Sequence, residues 1–223
     1  MSCPVRNRCP GPGPGPESES ESESEPKPKV VGAKPAADGK VQVVATVFLL
    51  TGIQAAGKST VAQALAERFE RSVHLRGDVF RRMVVNGRAD MGSADPPPEA
   101  LRQLRLRYAL AASAADAYAG AGFTVVLQDV ILGPYLTDMV AAIRTRPCNV
   151  AVLAPRPDVV RKRDEARQAA RGKVAYKPGD EGVSELDAYL REQTPRIGLW
   201  LDTSELSVEQ TVEEILARAA SVP

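Results

Sequence analysis

The segment Gly52-Ile53-Gln54-Ala55-Ala56-Gly57-Lys58-Ser59 spaces two glycines, a lysine and a hydroxyl as a phosphate site requires. Glycine lets the backbone curl until successive N–H groups face one hollow, and such a hollow attracts anionic oxygens. A helix starting at the rim adds its partial positive charge. Lys58 is then placed to reach β- and γ-phosphates, and the Ser59 hydroxyl to ligate magnesium. With Thr60, residues 52–60 are expected to cradle ATP and its magnesium ion. The plain alternative is a glycine-rich turn before a helix. The β-branched apolar run that leads in and the apolar spacing of Val61, Leu65 and Phe69 that leads out favour the cradle.

Two carboxylates stand where phosphoryl transfer needs them. Asp78 follows the second apolar segment, at 73–75. An acid there orients an acceptor hydroxyl and takes its proton. Asp78 also precedes Val79, Phe80, Arg81 and Arg82, where it suits the N-cap of a short helix, a role compatible with catalysis. Asp129 ends the apolar run 123–127, with Gln128 between. At that position an acid serves magnesium through water, or the acceptor. An ordinary loop acid is its bland reading.

Arg163, Arg167 and Arg171 recur at helical spacing on one face. Like charges so placed repel by a few tenths of a kcal/mol per pair, so an unpartnered stripe calls for an anion. The expected anion is the ATP phosphate chain, with the helix and the loop after Gly172 acting as a lid. Against this, Asp164 and Glu165 offer ion-pair partners to Arg161 and Arg167, which would make a solvated face. Arg81–Arg82 and Arg105–Arg107, with Arg76, Arg88 and Arg102, crowd the segments flanking the expected acceptor pocket. They read equally as surface charge or as the reader of an anionic acceptor. His74, the only histidine, reads as a packed strand residue, and Trp200 as core.

These groups need elements to hold them. Periodicity and breakers predict strands at 41–50, 73–75, 123–127, 149–153 and 197–201. Helices are predicted at 58–69, 79–86, 98–119, 134–144, 157–171 and 184–194, with a last one from Ser207, where Ser207 and Gln210 form a capping-box pattern. Loops are expected at 87–97 and 172–183. Strands alternating with helices specify a parallel sheet covered on both faces, with ligands at the carboxyl ends of the strands. The expected fold is therefore a single α/β domain over residues 41–223, a P-loop NTPase of the nucleoside-monophosphate-kinase type. It has a five-stranded parallel sheet and a lid.

Residues 1–40 form a Gly-Pro, Glu-Ser and Pro-Lys tail without core-forming residues, and disorder is expected there. With aromatics at 4%, Val, Leu and Ala must fill the core. A net charge of +1 gives no bulk attraction to nucleic acid or membrane, so neither is an expected partner. No apolar segment approaches the roughly 20 residues of a membrane span. Three cysteines without metal-site spacing, and no apolar leader, point to the cytoplasm. Oligomeric state is left open.

The cradle, Arg76-Gly77-Asp78, the segment Val125-Val126-Leu127-Gln128-Asp129-Val130-Ile131-Leu132-Gly133 and the charged stretch 161–171 resemble the chloramphenicol phosphotransferase-like family of P-loop kinases. The resemblance covers roughly residues 45–220. It implies transfer of the ATP γ-phosphate to a small-molecule hydroxyl, an antibiotic among the candidates. It places Asp78 at the catalytic base, Asp129 near the acceptor, and the lid arginines among Arg163, Arg167 and Arg171. Gln128 stands where the family carries an acid. Two other readings remain: a kinase of a nucleotide sugar or nucleic-acid end, and a non-catalytic ATP-binding module.

Overall fold

The computed structural model describes residues 46–91, 96–172 and 182–220. The boundary expected at residues 40 and 41, the low-complexity tail, and most of the expected lid loop lie outside them.

Five strands are laid down in the order β1 (Val47–Thr51), β2 (Ser72–Arg76), β3 (Thr124–Gln128), β4 (Cys148–Leu153) and β5 (Leu199–Leu201). All neighbours pair in parallel, and across the sheet the order is β2-β3-β1-β4-β5. Every residue of β1 and β3 is buried, which is why these segments read as unbroken apolar runs. β2 and β5, at the edges, are half-buried.

Among the described residues seven helices accompany the strands: α1 (Lys58–Ala66), α2 (Asp78–Arg82), α3 (Pro98–Gly120), α4 (Tyr135–Ala142), α5 (Pro157–Arg171), α6 (Val183–Gln193) and α7 (Val208–Ala220). α1 packs on α7 and lies against β1, β2 and β3, while α3 packs on α4 and lies against β2 and β3. The stripe Ala111, Ala112, Ala115 and Ala119 lets α3 approach the sheet closely.

The expected elements are present, with shifted ends. β1 gains Thr51, and residues 41–45 of its expected range lie outside the described residues. α1 stops at Ala66 because Phe69 turns back into the core and packs on Phe48, ring centroids 5.5 Å apart. α2 ends at Arg82 instead of running to residue 86. α7 carries the capping box: the Ser207 N–H donates to Gln210 Oε1 at 2.8 Å, and the Gln210 N–H to Ser207 Oγ at 3.1 Å. Among the described residues, no helix is long and apolar enough to cross a membrane.

Candidate active site

The cradle hangs from the carboxyl end of β1, at the centre of the sheet. Gly52 has φ +143°, and a Cβ there would stand 2.3 Å from the Leu153 carbonyl oxygen of β4. No other residue fits between the strand end and its neighbour. The turn continues through Ala55, held at φ 60° although it is not glycine, and Gly57 at φ 95°. The Ala56 N–H closes the turn on the Ile53 carbonyl at 3.3 Å. α1 starts at the next residue, so the N–H groups of its first turn point back into the loop. Ser59 and Thr60 are exposed on that first turn.

Lys58 is folded into the hollow. Its Nζ donates to the Gly52 carbonyl at 2.9 Å and to the Ile53 carbonyl at 2.7 Å, and only 7% of the residue is exposed. Its pKa is pushed down to about 7, first by burial, then by the charges of Arg107 and Arg167, with Asp78 opposing. Arg107, Arg167 and Asp78 come from α3, α5 and α2, and the charges of all three act on Lys58.

Asp78 opens α2 and is half exposed; its carboxylate pairs with Arg82, 3.2 Å away and one turn on. The expected N-cap role is corrected here. Gly77 occupies the cap position with helical φ −61° and ψ −31°, Asp78 is already helical, and no side chain makes a cap hydrogen bond. Asp129 reaches the same edge from β3 but is buried and engaged. Arg107 of α3 donates its Nε–H to Asp129 Oδ2 at 2.7 Å and forms an ion pair with Oδ1, which also accepts the Val130 N–H at 2.7 Å. A Cβ on Gly77 would collide with this carboxylate. Asp129 therefore fixes Arg107 in this structure, and the Arg107 partnership is what sequence reasoning missed. The sequence alone leaves Arg107 equally a surface charge or a reader of an anionic acceptor.

The arginines of α5 divide. Arg163 is tied down: it donates to the Ala56 carbonyl of the cradle at 3.3 Å and to the Thr203 carbonyl at 2.8 Å. Arg167 donates to Asp164 at 2.6 Å, as the salt-laced reading expects, yet its charge reaches Lys58. Its Nε–H is buried and makes no hydrogen bond among the described residues. The Arg171 side chain and residues 173–181, which carry most of the lid expectation, lie outside the described residues. Several flanking arginines are spoken for by local acids: Arg81 by Asp90, Arg82 by Asp78 and Arg102 by Glu99. His74 packs on its strand, Nδ1 2.8 Å from Gln63 Oε1, and Trp200 is half-buried under Arg196.

The cradle fits a nucleotide phosphate chain: left-handed backbone, a helix start and a buried lysine that donates to two loop carbonyls. For magnesium the exposed Ser59 hydroxyl is available beside the cradle. Among the described residues no cluster of three or more His, Cys, Asp or Glu side chains forms a metal cage. An ion held mainly by phosphate oxygens and one hydroxyl is the arrangement that suits such a site.

Sheet order, cradle and lysine define an α/β P-loop fold of the kind found in small kinases. The chain belongs to the AAA domain family AAA_33, whose profile matches residues 47–193. A search of the curated proteins gives no match. Among solved structures, the chain is similar to APS kinase of Mycobacterium tuberculosis, with a TM-score of 0.56 and 16% identity over 79% of this chain and 98% of that one. It is also similar to the tunicamycin resistance protein of Deinococcus radiodurans, with a TM-score of 0.53 and 20% identity over 78% and 95% of the two chains. A gluconokinase from Sinorhizobium meliloti 1021 gives a TM-score of 0.50 and 18% identity over 79% and 93%. At these identities the likeness is one of fold.

Proposed function

We propose that this chain is an ATP-dependent phosphotransferase acting on a hydroxyl of a small molecule. The observation that carries the reading is the cradle at the end of β1, with Lys58 buried in it against the Gly52 and Ile53 carbonyls. Cations at the cradle suit the phosphoryl group in flight, and a carboxylate beside them suits the attacking hydroxyl. The acceptor oxygen forms a bond to the γ-phosphorus, the β–γ bridging oxygen leaves with ADP, and the acceptor proton passes to Asp78. Lys58 and the cradle amides hold the phosphates, Arg163 braces the cradle, and Arg167 faces the transferred group. Ser59 would hold a magnesium ion, which would supply charge neutralisation. Catalysis on this reading is mostly positioning.

The acceptor class is supported by the kinases of similar fold, named for APS and gluconate, and by the resemblance to chloramphenicol phosphotransferases. The tunicamycin resistance protein of similar fold keeps antibiotics among the candidate acceptors. A cytoplasmic enzyme with access to ATP fits this reading. The test is a mass-spectrometric screen for products that gain one phosphate, over antibiotics, polyols, sugar acids and nucleotide sugars. Transfer is expected for the wild type and absent for Lys58→Ala, which should fold normally and bind ATP weakly. Full transfer by a folded Lys58→Ala protein would end the reading.

A further inference from the structure

A groove of about 210 Å³ runs between α2 and α3, and its walls are unusual for a surface. Phe80 and Met83 line it from the α2 side, Leu106 and Leu110 from α3, and Met91 from the intervening loop. Seven large apolar or aromatic side chains stand exposed among the described residues, and four of them line this groove: Met83 at 64%, Leu106 at 55%, Leu110 at 43% and Met91 at 40%. Apolar exposure concentrated in one concavity marks a binding surface, whereas scattered exposure does not.

The wall is built. Gln103 of α3 donates to the Gly87 carbonyl and accepts the Ala89 N–H, at 2.8 and 3.0 Å, and so fastens the loop to the helix. The groove adjoins the candidate active site through two of its lining residues. Phe80 shares the short helix α2 with Asp78, and Arg107 pairs with Asp129.

Charge decides what the groove suits. Among the described residues two charged side chains line it, Arg81 and Arg107, and each is already matched by a carboxylate, Asp90 and Asp129 respectively. An anionic acceptor such as a sugar acid or nucleotide sugar finds no uncompensated cation there. To recruit either arginine it would have to displace an existing ion pair. An apolar body instead covers exposed Met and Leu surface and disturbs no pair.

We propose that the α2–α3 groove is the acceptor site and that it selects an uncharged alcohol carried on an apolar body. The inference rests on the kinase reading above and narrows it. The alcohol's body lies along Met83, Leu106 and Leu110, with its hydroxyl directed to the Asp78 end. The test compares two acceptor sets at fixed ATP and magnesium: aryl-alkyl and alicyclic alcohols, against polyols, sugar acids and nucleotide sugars. The variants are Met83→Ser and Leu110→Ser, exposed positions outside the proposed catalytic machinery. Phosphorylation of the apolar set is expected, with KM for the alcohol raised about tenfold or more in the variants, the scale for lost contacts in an apolar pocket. kcat and the KM for ATP should stay near wild type. Product from the polar set alone, product from neither set, or a KM indifferent to both substitutions overturns the inference. So does a dimer in sedimentation equilibrium that the same substitutions dissociate, since a second chain would then cover the groove. Lys58-dependent ATP binding, measured on the same preparations, separates the failures. If it persists while apolar alcohols go unphosphorylated, the acceptor inference alone falls; if it is absent, the kinase reading falls with it.

Discussion

Arg107 of α3 and Asp129 at the end of β3 form an ion pair inside the protein, their side chains 13% and 2% exposed. The guanidinium faces the carboxylate with two of its nitrogens, and the backbone N–H of Val130 completes the arrangement. Charged groups this deep depend on each other. Asp129→Ala should cost about 3–5 kcal/mol of stability, because it leaves the arginine buried and unmatched. Urea denaturation of the purified domain measures it. A loss below about 1 kcal/mol would mean that water already reaches the pair.

Asp78 should separate chemistry from stability cleanly. It makes no cap hydrogen bond, and its pair with Arg82 is an exposed one. Asp78→Asn and Asp78→Ala should therefore both unfold within about 0.5 kcal/mol of wild type, the worth of an exposed one-turn pair. Phosphoryl transfer should nevertheless fall by about a hundredfold or more, the scale for losing a positioned base. Wild-type turnover in Asp78→Asn would remove Asp78 from the mechanism.

Arg163 and Arg167 sit one turn apart on α5 and should fail differently. Arg163 joins the cradle carbonyl of Ala56 to that of Thr203. Arg163→Ala should loosen the nucleotide seat, raising the KM for ATP several-fold while sparing most of kcat. Arg167 acts on charge near Lys58. Arg167→Ala should leave the KM for ATP near wild type and lower kcat by about a hundredfold, as for a lost transition-state donor. Steady-state kinetics with ATP varied distinguishes them; identical effects would contradict the division.

The single histidine provides a pH readout free of overlap. Burial, then the charge of Arg76, pushes the His74 pKa from 6.5 down to about 4. The unfolded chain takes up its proton near pH 6.5, and the folded chain only near pH 4. The stability His74 contributes is thus fully present above pH 6.5 and is lost as pH falls from 6.5 to 4. NMR of the one imidazole should show no titration above about pH 5 in the folded protein. A midpoint near 6.5 would show a ring open to water.

What sequence reading reached follows from how local each feature is. The cradle is legible because Gly52, Gly57, Lys58 and Ser59 are neighbours, and their chemistry depends on that spacing. Buried β1 and β3 are legible as apolar runs, and the capping box of α7 as a pattern of two residues. The cap at Asp78 fails because the choice between cap and first helical residue turns on the backbone of Gly77, which glycine leaves undetermined. The Arg107–Asp129 pair spans 22 positions and two elements, so no local spacing encodes it. The stripe on α5 is visible, but its division into Arg163, tied to the cradle, and Arg167, paired within the helix, depends on where the cradle and the loop at Thr203 pass.

The central position of β1 has a kinetic meaning. It is paired on both sides, with β3 and with β4, whereas α2 contributes no buried residue at all. Deuterium should enter the amides of α2 early and those of β1 only when the whole sheet opens, since interior strands report the global free energy. On the proposed reading, the nucleotide seat would then hang from an interior strand and the acceptor wall from a helix without buried residues. If the proposed acceptor site is right, α2 would reorder around an incoming alcohol through sub-global fluctuations that leave β1 closed.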